Sequence, residues 1–276
     1  MIRKLGTFTA WLGASLMVAM QSASAMEGQP EPWQMGLQPA ASQRMADIVS
    51  LHTFVLYIIT IITLFVLGLL VWIVIRYNAK ANPTPSDTTH NTVLEVAWTV
   101  IPVAILVTIA VPSFRLLYFE DVVPPSDMTI KAIGKQWYWT YEYPDNGNFT
   151  FDSLGLSDRV AAQQMEPRLL GTNNHVVVPV GKTVRVLTTG ADVIHAWAVP
   201  ALGVKIDANP GKINQTWFKA DREGKFYGQC SELCGARHAF MPIEIEVVSQ
   251  ERFDQWAMEA KTKFASAGAP TRVASE

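Results

Sequence analysis

The 22 uncharged residues from Phe54 to Ile75, FVLYIITIITLFVLGLLVWIVI, restrict the folds open to this chain more than any other feature. Coiled as an α-helix at about 1.5 Å per residue they reach about 33 Å, enough to cross a hydrocarbon core of about 30 Å. A transmembrane helix is expected. A second uncharged stretch runs from Val96 to Phe114, between Glu95 and Arg115, and is extended by Leu116 to Phe119. Pro102 and Pro112 fall inside it; a membrane helix tolerates proline where neighbours re-satisfy the freed backbone groups. The reading is a two-helix transmembrane hairpin within residues 26–120, with spans at about 51–76 and 95–119.

Orientation follows from charge. The polar connection Arg76 to Val93 carries Arg76 and Lys80 against Asp87 alone, which places it in the cytoplasm by the positive-inside bias. Residues 1–25 have a basic start (Arg3, Lys4), an apolar stretch from Phe8 to Met20 and the ending Ala23-Ser24-Ala25. That is the pattern of a secretory signal cleaved after Ala25; the apolar stretch, broken by Gly13 and Ser15, is short for a span. Both signals agree on a two-pass protein of the bacterial inner membrane. Its mature termini and everything after about residue 120 then lie in the periplasm.

The remaining sequence is of globular type. With 49% hydrophobic and 17% charged residues and a net charge of -2, the chain is not a disordered tail, a collagenous repeat or a basic nucleic-acid binder, and no nucleic-acid partner is expected. Short β-type runs follow the spans: Thr129 to Tyr143, His175 to Val180, Thr183 to Leu187, His195 to Val199, Ile213 to Phe218 and Ile243 to Val248. Turn chemistry at 144–147, 179–181 and 209–211 separates several of them, which predicts a sandwich or barrel over residues 121–250. Residues 251–276 read as a C-terminal helix, ending near Lys263, and a loose tail.

The chemistry concentrates in Cys230-Ser-Glu-Leu-Cys234-Gly-Ala-Arg-His238-Ala-Phe-Met241, with His195 far upstream. Two thiolates, two imidazoles and a thioether are soft to borderline donors and favour copper over calcium, magnesium or manganese. Tetrahedral zinc is an alternative that leaves Met241 surplus. A mononuclear blue copper site leaves one cysteine surplus. A plain disulfide, natural in an oxidising compartment, leaves the histidines and methionine unexplained.

The motifs Gly228-Gln-Cys230-Ser-Glu232-Leu-Cys234-Gly-x-x-His238-x-Phe-Met241-Pro242, Asp192-Val-Ile-His195-x-Trp-Ala-Val-Pro200 and Gln136-Trp137-Tyr138-Trp139 resemble subunit 2 of the haem-copper cytochrome c oxidases of bacterial aa3 type. The resemblance spans essentially the whole mature chain. It implies a two-helix transmembrane hairpin carrying an all-β, cupredoxin-like sandwich with a binuclear copper (CuA) centre. Cys230 and Cys234 would bridge both ions, His195 and His238 would each bind one, and Met241 and the backbone carbonyl of Glu232 would complete the set. The Glu232 side chain would hold magnesium or manganese at the contact with subunit 1. Trp137 would receive electrons from cytochrome c, and Glu95 would stand at the entrance of a proton path into subunit 1. The implied partners are cytochrome c, the haem-bearing subunit 1, subunit 3 and membrane lipid.

The implied activity is that of an oxidoreductase subunit of the respiratory chain, passing electrons from CuA to haem in subunit 1, where oxygen is reduced and protons are translocated. With five histidines and no Cys-x-x-Cys-His, this chain is not expected to reduce oxygen alone. A membrane-tethered copper carrier is the competing class, and a quinol oxidase subunit would lack the copper ligands. Three local readings stay open. The run Trp137 to Trp139 has strand spacing, and its rings serve core packing equally well. Over residues 136–165, Glu142, Asp145, Asp152 and Asp158 outnumber Arg159, which suggests an acidic face for a basic partner, or a merely solvated loop. Asp192 and Asp207 are candidates for the subunit contact, for a place near the proton exit, or for turn capping.

Overall fold

The structure is a computed structural model that describes residues 28–265; the expected signal segment and the last part of the tail lie outside them. Two long helices come first, α1 (Gln43–Arg76) and α2 (Thr92–Asp121). Their starts are set by side-chain caps beyond the apolar stretches. Ser42 Oγ accepts from the Met45 N–H at 3.0 Å, and Asn91 Oδ1 accepts from Val93 and Leu94 at 3.1 and 3.2 Å. Polar flanks therefore extend both helices past the hydrophobic runs. Glu95 accepts from the Asn91 N–H at 3.3 Å, completing the cap of α2. Of α1 only Arg44 and Met45 are buried, and of α2 no residue is. Helices apolar on every side suit hydrocarbon as the surrounding solvent.

Ten strands follow. Five make one sheet in the order β3 (Phe149–Ser153), β2 (Tyr138–Tyr143), β1 (Met128–Lys135), β5 (Thr183–Gly190) and β8 (Asn214–Lys219), with β1 and β5 parallel. Three make a second, β4 (Val176–Pro179), β10 (Pro242–Val248) and β9 (Gly224–Gln229), with β4 and β10 parallel. The ribbon β6 (His195–Val199) and β7 (Val204–Ala208) is antiparallel. β1 and β5 alternate buried and half-buried residues along their length, as a sheet with one covered face requires. Between the layers lie Tyr141, Tyr143, Trp197, Phe218, Phe226 and Ile243, all buried. Each such side chain contributes about 1.5–3 kcal/mol by leaving water. Among these rings Trp197 donates to Tyr141 Oη at 3.2 Å, and Tyr143 exchanges hydrogen bonds with Val177 at 3.0 Å.

After a short helix α3 (Asp158–Gln164) in the β3–β4 connection, α4 (Gln250–Ala265) closes the sandwich. It lays Phe253, Trp256, Ala257, Ala260 and Phe264 against the core, with Trp256 5.2 Å from Tyr143 and Phe264 4.8 Å from Phe151. The hairpin joins the sandwich through Arg44. It pairs with Glu120 of α2 at 3.6 Å and donates to Thr216 Oγ1 and the Trp217 carbonyl of β8 at 3.1 and 3.0 Å. Two membrane helices and one strand thus meet on a single buried guanidinium.

The expected class, a two-helix hairpin plus a β-sandwich, is the one observed. Two details differ from the sequence reading. The run Thr129 to Tyr143 is two strands that turn back at Gln136–Trp137, in register Lys135↔Tyr138. Nothing local announces that turn; distant partners hold it. The strands β3, β7 and β9 and the helix α3 were not anticipated, because they are short and β9 carries glycines, which have little strand propensity until a neighbour pairs with them.

Candidate metal centre

Strands β9 and β10 pair with Gln229 opposite Pro242, so residues 230–241 form a closed loop at their end. The Cys230 N–H donates to the Met241 carbonyl at 3.2 Å and the Ser231 N–H to the Ala196 carbonyl at 3.0 Å, which stitches the loop to itself and to β6. His195, first residue of β6, is thereby carried to the loop across 35 positions of sequence. His195, Cys230, Cys234 and Met241 are buried, and His238 is half-buried.

Both cysteines are free, with sulfurs 3.8 Å apart; a disulfide would hold them at about 2.05 Å. His195 Nδ1 stands 3.8 Å from Cys230 Sγ, and the Glu232 carbonyl oxygen 3.3 Å from the same sulfur. On the other sulfur, His238 Nδ1 is at 3.5 Å and Met241 Sδ at 3.6 Å. Donors bound at about 2.0–2.3 Å around a tetrahedral ion stand roughly 3.3–3.8 Å from one another. The donor atoms of His195, Cys230 and Cys234 all lie within 4.8 Å of one another. The residues present fit a compact thiolate-bridged metal group.

Electrostatics point the same way. Burial raises both thiols, but contacts with His195, Ala196, Glu232 and His238 bring Cys230 below its ordinary value. Burial, and next the charge on Cys230, push Cys234 up. Charge on one sulfur makes the other hold its proton, and a cation between them would take that proton's place.

Groups around the donors hold them in place. Asp192 Oδ1 lies 2.8 Å from His195 Nε2, and an Nε2–H donated to it leaves the Nδ1 lone pair facing Cys230. Burial pushes the Asp192 carboxyl up, but His195 and the N–H groups of Gln136 and Val193 outweigh it and hold it below the usual carboxylate range. Gly134 packs against the other side of this imidazole: a Cβ there would lie 2.6 Å from His195 Cδ2. Trp139 meets the ring edge-on with centroids 5.9 Å apart.

Trp137 does not sit on a strand. It occupies the β1–β2 turn, half-buried, and its indole N–H donates to the Cys234 carbonyl at 3.2 Å; Gln136 Nε2 donates to the same oxygen at 2.8 Å. Strand alternation therefore governs Trp139, which is buried in the core, and not Trp137. Gly235, at φ +119°, admits this approach, since a Cβ there would come 3.1 Å from Gln136 Nε2. Sequence reasoning missed Gly134 and gave Gln136 and Gly235 only as members of motifs, without a role, because none of them is a metal-binding side chain; for Asp192 the spacing three residues before His195 was the available signal.

The Glu232 side chain is exposed on the loop surface. Glu95 belongs elsewhere: 25 residues along α2 from Glu120, it lies about 38 Å from the end that joins the sandwich. Asp207 is exposed on β7 opposite Ala196. The acidic residues of 136–165 are largely engaged. Glu142 pairs with Lys131 and Asp158 with Arg168, each at 3.0 Å, while Asp145 and Asp152 accept from Thr129 and Thr140. Both cationic partners, Lys131 and Arg168, lie outside the window counted in the sequence, so the face is less negative than that count.

The chain matches family models described as cytochrome C oxidase subunit II, transmembrane domain, over residues 30–116, and the periplasmic domain of the same subunit over residues 128–248. A probable cytochrome c oxidase subunit 2 of Rickettsia bellii is 52% identical over 246 residues, 89% of this chain and 91% of that one. Cytochrome c oxidase subunit 2 of Cereibacter sphaeroides is 45% identical over 267 residues, 91% and 88% of the two chains. A crystal structure of the periplasmic domain of subunit II of cytochrome oxidase of Bradyrhizobium japonicum is 62% identical, covers 52% of this chain and 99% of that chain, and has a TM-score of 0.49.

Proposed function

The chain belongs to the cytochrome c oxidase subunit II family, and from that premise we propose that it is the electron-accepting subunit of a respiratory terminal oxidase, an oxidoreductase that also translocates protons. Cys230 and Cys234 would bridge two copper ions held further by His195, His238, Met241 and the Glu232 carbonyl. When bound, the CuA pair supplies a one-electron site that takes electrons from cytochrome c and passes them to haem in subunit 1. The donor spacings of 3.3–3.8 Å around two free, buried sulfurs carry this reading.

The protein's own residues supply the rest. Strands β6, β9 and β10 hold the donors on a paired scaffold, and Asp192, 2.8 Å from His195 Nε2, would fix the tautomer that frees Nδ1. Burial of His195 and Met241 excludes water from the inner side. A rigid, dry ligand shell keeps the rearrangement on gain or loss of an electron small. Trp137, hydrogen-bonded to the Cys234 carbonyl, is the aromatic group through which an electron would arrive. The exposed Glu232 carboxylate would take a magnesium or manganese ion shared with subunit 1, a hard cation matched to oxygen. Glu95, at the far end of α2, would mark the start of the proton path. In the membrane, the α1–α2 connection would face the cytoplasm and the sandwich, residues 121–250, the periplasm, with subunits 1 and 3 beside the hairpin.

Copper analysis of the full-length chain in detergent, with electron paramagnetic resonance, tests the reading. Two copper ions per chain and a signal from one unpaired electron shared by both nuclei are expected. One exchangeable copper would favour a tethered copper carrier instead, and stoichiometric zinc would refute the electron-accepting role.

A further inference from the structure

Two cavities lie one above the other where the hairpin meets the sandwich, and no residue of the metal centre lines either. The lower, about 560 Å³, lies between the helices and is walled by Leu51, Phe54, Pro112, Leu116 and Phe119, with Asp47 and Arg115 among its polar residues. The upper, about 530 Å³, lies against the sandwich and is lined by Gln43, Arg44, Phe119, Trp217 and Lys219 among others. Phe119 belongs to both walls. On α1 the lining residues follow one stripe, Gln43, Asp47, Leu51 and Phe54, so the two spaces stack along the same face of the hairpin.

The polarity of this stack is graded. The lower cavity sits at the end of the apolar stretch of α2, which Arg115 bounds, and its deeper wall is hydrocarbon in character. The upper one is the more polar. The Trp217 ring on its wall is buried, and its indole N–H, which has no hydrogen-bond acceptor, is itself closed off from solvent. Lys219 and Arg115 are exposed, and among the described residues neither has a carboxylate within ion-pairing distance. Of the other charges at the joint, Arg44 pairs with Glu120 and Asp221 with Arg222, while Asp47 keeps its charge and accepts from the Gln43 amide at 2.8 Å. Two cations without carboxylate partners beside an apolar slot suit one kind of molecule, with an anionic head and a hydrocarbon tail.

We propose that the joint between hairpin and sandwich is a binding site for one glycerophospholipid. Its phosphodiester lies by Lys219 and Trp217, and an acyl chain passes Phe119 into the slot between Phe54 and Pro112. An anionic head group is preferred, because Lys219 and Arg115 lack carboxylate partners. The lipid would act as a wedge that keeps the copper-binding domain at one height and tilt over the membrane.

Native mass spectrometry of the delipidated full-length chain in detergent, titrated with palmitoyl-oleoyl phosphatidylglycerol, tests this. One molecule should bind per chain with saturation, phosphatidylcholine more weakly, and inorganic phosphate should not displace it. Lys219→Glu should weaken binding at least about tenfold, equivalent to about 1.4 kcal/mol, as should Leu51→Trp, which fills the slot. Lys212→Glu, an exposed change on another turn, should bind as the wild type does, and unchanged copper content reports that each variant is folded. Saturable binding that neither Lys219→Glu nor Leu51→Trp weakens overturns the site, as does displacement by inorganic phosphate or the absence of saturable binding. Loss of the lipid in the assembled oxidase would mean that a neighbouring subunit fills the space, and also overturns it.

Discussion

The indole N–H of Trp137 donates to the carbonyl oxygen of Cys234 at 3.2 Å, which ties a half-buried aromatic ring to the backbone of a sulfur donor. The bond runs between a turn and a loop 97 positions apart, and the Gln136 amide reinforces it on the same oxygen. A ring held this way is within a few bonds of the candidate metal centre and still reaches the surface.

Replacing that ring separates its two roles. Trp137→Ala should slow electron transfer from cytochrome c at least about tenfold, or about 1.4 kcal/mol of barrier, while the copper resonance spectrum keeps its form. Trp137→Phe keeps an aromatic surface, loses the hydrogen bond and should fall between. Stopped-flow reduction of the oxidase decides, and wild-type rates in the alanine variant would remove Trp137 from the path.

Gly134 leaves no room beside His195. Gly134→Ala places a methyl 2.6 Å from the imidazole and should displace the ring, at a cost of about 1–3 kcal/mol from overpacking. The expected result is a lower melting temperature together with a changed copper spectrum. A variant with an unaltered spectrum would show that the neighbouring strands yield first.

The carboxylate of Asp192 orients His195, and Asp192→Asn exchanges its charge for an amide of the same shape. Copper affinity, measured by competition with a chelator, should fall about 10–100-fold, the usual range for a group that supports a metal ligand. Equal affinities in variant and wild type would leave Asp192 as a turn cap alone.

On the far sheet, the His175 hydrogen bond at 2.9 Å holds the Glu246 carboxyl below its ordinary 4.5, with Arg252 and Lys225 adding to it. Because the folded value is the lower one, the ionised form stabilises the fold. That contribution is complete above the unfolded value and is lost as pH falls through the folded one. Wild type should therefore melt above Glu246→Gln near neutral pH, by no more than about 1 kcal/mol at this partly exposed site, and the gap should close in acid. A gap that widens as the pH drops contradicts the assignment.

The legibility of this molecule varied with how local each signal was. Phe54 to Ile75 announced a membrane helix because twenty-two uncharged residues have no stable place in water, whatever surrounds them. The same stretch could not give the helix start at Gln43, since that depends on the Ser42 cap and on the sandwich that buries Arg44. Cys230, Cys234, His238 and Met241 were readable as a donor cluster from spacing alone. His195 is 35 positions away, and only the motif around it suggested that it belongs with them. Trp137 misled: its neighbours spell a strand, and the turn it occupies is held by Asp192 and Cys234.

By itself the sequence determined the solvent each segment prefers and the chemistry of the donors, because side-chain polarity and ligand softness travel with the residue. Tertiary structure alone decided which donors face each other, which imidazole nitrogen stays free, and that two helices and a strand enclose an amphipathic slot with an indole N–H left unspent. Those properties belong to pairs of distant atoms, and strand register and helix packing, not any local run of residues, set the distances between them.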